Sequence, residues 1–535
     1  MRIFSVLPIQ TTKTIHPADK TPFRGIFKSR FFLAKFGFSP QTPPRANNLD
    51  EKIQAKYGFR FQPNPYMIRK ILVYILSAVA LYAAPQTIFN PRDFGGTGDG
   101  KTKDTAAIQK AIDACAAAGG GTVLLDSGIW VSGTIYLKNN IRFEVANAAT
   151  LKGSPDKEDY NADNAWVQNR AVPREHTSGA HLLVALEVEN VEVCGGGIID
   201  GNGLYFYLDN PENAGIEAPQ VFKYPKWRPA QMLYFCESKN VTVRNIRLYN
   251  SPQWSCFFLG CESVIATQIR IRNDWRGHNG DGIDIDSCQN VIVSDCDIKS
   301  EDDSITLRAS NRQLKTKKPL ENVTITNCLL ETRCNAIRIA VGIDKIRRCT
   351  FSNIVIKNAR SGIDITNRYC SQKDGVDIEG ISFSNMRIYA DHPLKILSDN
   401  LKWGRGFGDG YTKDITFDNC HFEGSAFSVI AADEDKRVGD IRFYNCRFNM
   451  TKCNYKIENI DDIRKVNVPF IWSGKAPPYA LVIANVKDVK FYNCSMRWED
   501  DAADKRIKSV LTQNCDGLFF DQLCDFKEPA AKAAQ

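Results

Sequence analysis

One phrase recurs down the chain, and it constrains the fold more than any other feature. A polar residue is followed by alternating apolar residues, then by Asn or Asp with an apolar residue or Cys behind it. Clear copies are Asn240-VTVRNI, Asn290-VIVSDC, Asn322-VTITNC, Asp440-IRFYNC and Asp488-VKFYNC. Alternation with a period of two indicates short strands with one buried face. Because no amphipathic helices separate the copies, they predict an all-β chain that forms one single-stranded right-handed parallel β-helix rather than several domains.

The cysteines follow the same repeat. Five of them share one register position with the apolar residues of other copies: Cys296, Cys328, Cys420, Cys446 and Cys494. We therefore expect them to be small buried hydrophobic residues stacked inside the solenoid. Seventeen cysteines in 535 residues is far below the content of a disulfide scaffold. No metal site is expected from the spacing of cysteine and histidine.

The net charge of +8 gives no case for a nucleic-acid partner. Residues 1–66 hold eleven Lys/Arg and three Asp/Glu, which accounts for the whole excess, so residues 67–535 sum to zero. A neutral body lacks the basic surface that nucleic-acid binding needs.

The N-terminal segments predict export. Residues 67–84, MIRKILVYILSAVALYAA, have a charged start and an apolar stretch too short to span a bilayer, as a signal peptide does. We predict a basic leader over 1–66, which translation from Met67 would omit, a signal peptide over 67–84 and a β-helix domain over 85–535. The mature protein is then secreted or periplasmic and has no membrane segment. The alternative is a true cytoplasmic leader followed by a short anchor.

A helix-like stretch from Thr105 to Ala117 precedes the repeats and is expected to cap the open end of the solenoid. Just before it, the spacing of Gly95, Gly100, Lys101 and Thr102 fits a phosphate-binding P-loop. A true P-loop needs strands that alternate with helices, which this chain lacks. Nucleotide binding is therefore not expected.

A second, shorter strand also recurs once per coil. Its copies are Gly282-IDI, Ser304-ITL, Ala336-IRI and Gly362-IDI, and the residues just before them are Asp281, Asp303, Asn335 and Ser361. Equivalent positions of successive coils stack about 4.8 Å apart. Asp281 and Asp303 should therefore lie one above the other with Asp302 beside them, and no basic residue is expected in the same column.

Three carboxyl groups crowded together have a chemical use. Like charges at short range raise the pKa of at least one of them, which gives a proton donor beside one or two bases. Glycoside hydrolysis needs that combination. The alternative is that these residues only satisfy the backbone of the turns.

The motifs that carry these acids resemble glycoside hydrolase family 28, the polygalacturonases. Similar segments are DFGGTGDGKTKDTAAIQKAID, Gly197-IIDGNG, Arg228-Pro229, Asn250-SPQW, Asn279-Gly280-Asp281 and Asp302-Asp303, between Asn90 and about Cys446. The resemblance implies a pectin-lyase-like solenoid and inverting hydrolysis of α-linked galacturonan. It implies Asp302 as the general acid, and Asp281 and Asp303 as the groups that activate water. It implies no cofactor and no metal. We expect an acidic plant-type polysaccharide as the substrate and a monomeric enzyme.

Two motifs depart from the family. Cys334-Asn335-Ala336 stands where Gly-His-Gly is usual, and Asp364-Ile365-Thr366 stands where Arg-Ile-Lys grips the substrate carboxylate. One hypothesis is that Arg338 holds a uronate displaced by one coil and pairs with Asp364. The alternative is a purely structural ladder pair.

Three further residues are candidate substrate-binding groups. Asn279 belongs to the motif of the first acid, and Asn335 stands at the position of the missing histidine. His278, the histidine nearest in sequence to the acids, is a candidate to replace part of its role.

The stretch from Tyr205 to Trp227 is a large aromatic insertion between two repeats. Its rings either stack on sugars at the cleft wall or pack under their own loop.

The sequence leaves four interpretations of function open. The first is a polygalacturonase-type hydrolase of pectic or related acidic polysaccharide, and the second is a rhamnogalacturonan-type hydrolase of the same family. The third is a Ca²⁺-dependent lyase, in which the three acids bind the metal and Arg338 is the base. The fourth is a binder that has lost catalysis, although all three acids are present.

Overall fold

The computed structural model describes residues 87–169, 176–369, 375–398, 408–460, 463–466, 468–499 and 508–526. The predicted leader and signal peptide, 1–66 and 67–84, lie outside these residues and stay predictions. The repeats form the predicted right-handed parallel β-helix with a helical cap at its N-terminal end.

One face of the solenoid is a sheet of twelve parallel strands, one from each coil. In chain order these strands are Ile135–Tyr136, Leu183–Leu186, Leu233–Cys236, Cys256–Leu259, Ile283–Asp286, Ile305–Ala309, Asn335–Gly342, Ser361–Thr366, His392–Leu397, Ser428–Ala431, Tyr479–Ala484 and Lys508–Gln513. This sheet carries the candidate acids at its leading edge, and we call it the site sheet.

The remaining wall is a 24-stranded sheet that bends once in each coil and therefore has two arms. Strands of the first arm, or of both arms where they run on, are Ile88–Phe89, Gly121–Ser132, Ile141–Gly153, Glu189–Cys194, Lys239–Tyr249, Glu262–Arg272, Gln289–Ser294, Leu320–Thr326, Lys345–Ser352, Asp377–Ser384, Thr412–Asp418, Gly439–Tyr444, Lys487–Tyr492 and Phe519–Phe520. Strands of the second arm alone are Asp99–Lys103, Ile198–Asp200, Asp297–Ser300, Leu329–Thr332, Val355–Asn358, Arg387–Ala390, His421–Gly424, Arg447–Met450, Ser495–Trp498 and Asp525–Phe526. A separate pair joins Lys456–Ile457 to Lys475–Ala476.

The polar residues of the repeat form the corners of the coil. Asn327 and Asn445, for example, have positive φ angles of 55° and 54°. Asparagine tolerates this left-handed conformation because its short side chain hydrogen-bonds locally. The corner amides also bind one another between coils, as Asn493 does when it donates to Asn445 at 2.8 Å. The Asn or Asp of the repeat therefore sets both the bend and the stacking.

The core lies between the two sheets and consists of stacked identical positions. One column is a ladder of phenylalanine rings with centroids 4.6 to 4.8 Å apart: Phe351, Phe383, Phe417, Phe443, Phe491 and Phe520. The five predicted core cysteines are all buried. The described ranges contain sixteen cysteines, and all of them are free thiols.

Helices are few among the described residues. The α-helices are Thr105–Ala117, Gly203–Leu208 and Val468–Ser473, and the 3₁₀-helices are Pro91–Phe94, Lys157–Asp159, Pro211–Asn213, Asn311–Gln313 and Ile463–Lys465. The first of the α-helices packs its apolar face onto the end of the core, as predicted for the cap. None of the described helices has the length and apolarity needed to cross a membrane.

The glycine-rich segment that resembles a P-loop binds a side chain of the protein itself. The backbone amides of Thr97 and Gly98 donate to the carboxylate of Asp104 at 2.8 and 3.1 Å. Asp99 accepts from the amides of Lys101 and Thr102 in the same way. These carboxylates occupy the backbone amides that a P-loop would offer to a phosphate.

The phenylalanine ladder generates the first prediction. Phe417 is fully buried between Phe383 and Phe443, so Phe417→Ala should lower the free energy of unfolding by about 3–5 kcal/mol through lost burial and a cavity. Ile292→Ala is the matched control, because Ile292 is 47% exposed on the outer face; it should change stability by no more than about 0.5 kcal/mol. Urea denaturation measures both. Equal midpoints for the two variants would contradict the ladder's role.

Candidate active site

The site sheet stacks the short strands in the predicted register. Ile283 pairs with Ile305, Ile305 with Ile337, and Ile337 with Ile363. Each side chain therefore lies above its equivalent in the coil before. The columns inferred from the Ile-x-Ile alignment are present in the structure.

The first acid, Asp281, is almost completely buried at the N-terminal edge of its strand. Only 5% of its surface is exposed, and its Oδ1 has no hydrogen-bond partner among the described residues. Burial raises the pKa of Asp281 well above its usual range, and the neighbouring carboxyl groups of Asp284, Asp302 and Asp303 raise it further. This acid therefore retains a proton that an exposed aspartate would lose.

The second and third acids sit together on a tight turn. The hydroxyls of Ser300 and Thr332 both donate to the carbonyl of Asp302 and fix the turn. Asp302 is half-buried, whereas Asp303 is only 3% exposed. The pair thus presents one carboxyl group towards solvent and keeps the other inside.

Glu301, just before the pair, is a fourth carboxyl group of this cluster. It is buried and accepts from the Gly280 amide at 3.1 Å and from Arg333 Nε at 2.8 Å. Burial outweighs the arginine and raises the pKa of Glu301 to about 8. Its hydrogen bonds connect the loop of the first acid to the turn of the other two.

A cation from the neighbouring column lies beside the third acid. Arg338 Nε lies 2.9 Å from Asp303 Oδ2, and Asn335 Nδ2 donates to Asp303 Oδ1 at 2.7 Å. Burial raises the pKa of Asp303 and Arg338 lowers it, with the result at about 6. The sequence comparison missed this contact because Arg338 belongs to the neighbouring column and reaches back one coil.

Arg338 and Asp364 are neighbours in register on adjacent strands, but the ion pair of Arg338 is with Asp303. Asp364 binds Lys395 instead, with 2.5 Å between its Oδ2 and Nζ. Both residues are buried, and they face each other in register on adjacent strands. The lysine and Arg338 hold the pKa of Asp364 below its usual value despite burial.

Asn335 connects these two ion pairs. It is fully buried, accepts from Lys395 Nζ at 3.3 Å and donates to Asp303. Its side chain therefore positions the acid cluster from inside. Because Asn335 has no exposed surface, the structure gives no support to its candidate role as a substrate-binding group.

His278 and Asn279 lie beside the acids, against the aromatic insertion. His278 Nε2 donates to the Phe222 carbonyl at 2.5 Å, and its ring stacks on Tyr224 with centroids 4.1 Å apart. Burial lowers the pKa of His278. Asn279 has a positive φ of 56° and accepts from the buried Arg228 at 2.8 Å. Arg228 thus links the insertion to the motif of the first acid.

Part of the aromatic insertion packs under its own loop, and stacking of its other rings on sugars stays a prediction. Phe206 and Tyr207 are buried under the loop, and Trp227 packs edge-on against Phe206. Tyr205 and Tyr224 are 46% and 36% exposed and are open to contact with a ligand.

Sequence reasoning missed Asp284, Glu301, Cys334, Arg360 and Lys395. Asp284 is fully buried beside Asp281, and burial raises its pKa well above its usual range. Lys395 was within reach, because one more coil in the Ile-x-Ile alignment gives Leu394-Lys395-Ile396. The residues just before Asp303, Asn335 and Ser361 are Asp302, Cys334 and Arg360. Reading this column would have placed Cys334 and Arg360 next to the acids.

Metal-ligating atoms also meet at the site. One carboxylate oxygen each from Asp302 and Asp303 and the Cys334 sulfur lie within 4.8 Å of one another. Arg338 already contacts Asp303, and Arg360 Nη2 lies 2.9 Å from the sulfur. Two of the three donors, Asp303 and Cys334, are thus engaged by guanidinium groups, and the arrangement fits acid–base chemistry better than a cation cage.

Known proteins with similar sequences share the segment that carries the three acids. The family model described as Glycosyl hydrolases family 28 matches residues 164–319, which include the three acids and end before Asn335. An exo-poly-alpha-D-galacturonosidase of Dickeya chrysanthemi is 26% identical over 283 residues, 46% of this chain and 46% of that protein. A polygalacturonase of Arabidopsis thaliana is 25% identical over 348 residues, 58% of this chain and 73% of that protein. The chain thus spans about half the length of the first of these relatives.

A solved structure supports the fold. An exopolygalacturonase from Thermotoga maritima superposes with a TM-score of 0.56 at 22% identity, covering 69% of this chain and 88% of that one. The family-model match covers the acids, and the relatives found by sequence are polygalacturonases. The chain therefore resembles glycosyl hydrolase family 28 in the sequence around the acids and in its fold.

Proposed function

We propose that this protein is an exported hydrolase of α-linked galacturonan or a related pectic polysaccharide. The observation that carries the proposal is the cluster of Asp281, Asp302 and Asp303 on the outer edge of the site sheet. Two of these acids are buried, and burial raises the pKa of both. The third is half-buried and can reach a bound sugar chain.

The proposed reaction is a single displacement with inversion. Asp302 gives its proton to the glycosidic oxygen as the bond from that oxygen to the anomeric carbon breaks. A water molecule attacks the same carbon from the opposite face, and a carboxylate takes the proton that this water loses. One water is consumed, two sugar chains are released, and a proton exchange with solvent resets the acid and the base.

Asp303 is the better of the two candidate bases. Arg338 and Asn335 stabilise its ionised form, whereas Asp281 Oδ1 has no such partner among the described residues. Asp281 then holds the water through a hydrogen bond while Asp303 takes the proton that this water loses. This division of labour follows from which carboxyl group is paired with a cation.

The contacts favour hydrolysis over the other interpretations. A lyase would need Arg338 as a base, but this guanidinium is bound to Asp303. A binder without catalysis would not need several buried carboxyl groups, which cost stability unless they serve chemistry. The rhamnogalacturonan-type hydrolase stays the second candidate, because Asp364 occupies the position where the family arginine would grip a uronate.

Export rests on the predicted signal peptide over residues 67–84. A polysaccharide of plant walls lies outside the cell, so an exported enzyme would meet it there. We propose a secreted or periplasmic location on these grounds.

The proposal is tested on galacturonan, methyl-esterified galacturonan and rhamnogalacturonan fragments. New reducing ends should appear without the ultraviolet absorbance of an unsaturated product. Asp302→Asn should lower the rate by roughly 10²–10⁴-fold, since it removes the general acid. Asp488→Asn is the matched control, because other coils carry Asn at this exposed corner. Calcium-dependent absorbance would establish a lyase instead, and equal activity of both variants would refute Asp302 as the acid.

The contact of Arg338 with Asp303 predicts the pH profile. A base whose pKa is about 6 is protonated below that pH, so kcat/KM should fall as the pH drops through about 6. Arg338→Gln removes a charge that lowers this pKa, and it should move the acidic limb up by about 1–3 pH units. Arg347→Gln is the control, because Arg347 lies in the 24-stranded sheet and pairs with Glu321. It should leave the acidic limb of the pH profile in place. An unmoved limb in Arg338→Gln would rule out Asp303 as the base.

A further inference from the structure

Arg360 stands in the same column as the proposed general acid. Asn335 follows Asp303 by one coil and pairs with Ser361 in the register of the site sheet. The residues just before these three are Asp302, Cys334 and Arg360. Arg360 is thus two coils away from Asp302 along the axis on which a polysaccharide chain would lie.

The side chain of Arg360 turns towards the acids. Its Nη2 lies 2.9 Å from Cys334 Sγ, and that sulfur lies within 4.8 Å of carboxylate oxygens of Asp302 and Asp303. Only one thiol therefore separates the guanidinium from the carboxyl pair. One sugar unit bound over Cys334 could therefore touch both the Arg360 guanidinium and the carboxyl groups of Asp302 and Asp303.

Arg360 differs from the other cations around the acids in having no carboxylate partner among the described residues. The others are engaged in the pairs Arg333–Glu301, Arg338–Asp303 and Lys395–Asp364. The Nε of Arg360 is buried and has no hydrogen-bond partner within the described ranges. Its contact with Cys334 is to sulfur, which is a weak acceptor. A buried donor without a partner is costly, and an incoming anion would satisfy it.

An aromatic ring fixes the plane of this guanidinium. Arg360 lies 3.5 Å above the ring of Trp472, which is 39% exposed. Trp472 belongs to the helix Val468–Ser473, which lies in an insertion between two coils. Stacking orients the guanidinium edge and leaves its donors to a planar acceptor.

We propose that Arg360 binds the carboxylate of the galacturonate unit beside the cleaved bond and makes the enzyme specific for the free acid. Arg360 is four residues before Asp364, the position that resembles the family arginine, so the anion site is displaced on the fold. The inference rests on the proposed function, since it names the group that the same cleft recognises. Paired arginine–carboxylate hydrogen bonds give both affinity and orientation.

The test compares a free oligogalacturonide with its methyl ester in wild type and Arg360→Gln. The variant should lose roughly 10- to 100-fold in kcat/KM on the free acid, as expected for hydrogen bonds to a charged group. It should change little on the ester, so the preference of the wild type for the acid disappears. Arg360→Lys should recover part of the loss because it restores the charge without the planar fork. Arg387→Gln, an exposed arginine on the second arm, is the matched control.

Equal losses on acid and ester would overturn the inference, because Arg360 would then only support Trp472 and Cys334. Circular dichroism and thermal unfolding identify a variant that fails to fold; Arg360→Lys then carries the comparison. If wild type cleaves neither compound, the proposed function fails and calorimetric binding decides separately. Free oligogalacturonide should bind wild type and bind Arg360→Gln at least tenfold more weakly. Equal affinities would refute the inference.

Discussion

The whole molecule depends on the in-register stacking of parallel coils. Each residue of a coil lies above its equivalent in the coil before, at the spacing of hydrogen-bonded strands. Like residues therefore form columns, and a column is stable only if its members attract or at least tolerate one another. Phenylalanine rings stack, corner asparagines donate to one another, and small thiols fill the same level of the core.

The same stacking brings the carboxyl groups of the site into electrostatic repulsion. Stacking Asp281 on Asp303, with Asp302 alongside, places like charges together in a buried environment, which raises the pKa of Asp281 and of Asp303. The protein relieves part of this repulsion with Arg338, which comes from the following coil and binds Asp303. Lys395 binds a further carboxylate, Asp364, and the amide of Asn335 joins the two ion pairs. Asp281 and Asp303 keep raised pKa values in the presence of these cations.

The column of acids could be predicted from the sequence because register follows from the repeat alone. The partners could not be predicted in the same way. Arg338 has a long side chain that reaches diagonally to Asp303, and no column alignment describes a diagonal contact. The sequence pattern predicts Asp364 as the partner of Arg338 because the Ile-x-Ile copies considered end at Gly362-IDI, one coil before Lys395. Trp472 lies in an insertion without repeats, so its position beside Arg360 depends on tertiary packing. The recurring Asp and Asn residues could be identified in the sequence, but their left-handed backbone conformation could not.

Two motifs that the resemblance leads one to expect are replaced in this site. The acids of the resemblance are retained, whereas the histidine and arginine positions hold Asn335 and Asp364. Both replacements are buried and paired, so they support the cluster from within. We propose that recognition of a substrate depends on side chains nearer the surface, among them Arg360.

The central claim is that the stacked carboxyl groups catalyse a single displacement by water. The most direct measurement is the anomeric configuration of the first product, followed by proton NMR during cleavage of an α-linked oligogalacturonide. The account predicts that the β-anomer appears first and that the α-anomer grows in later by mutarotation. Immediate formation of the α-anomer would mean a covalent intermediate and two displacements. That result would contradict the proposed roles of Asp281, Asp302 and Asp303.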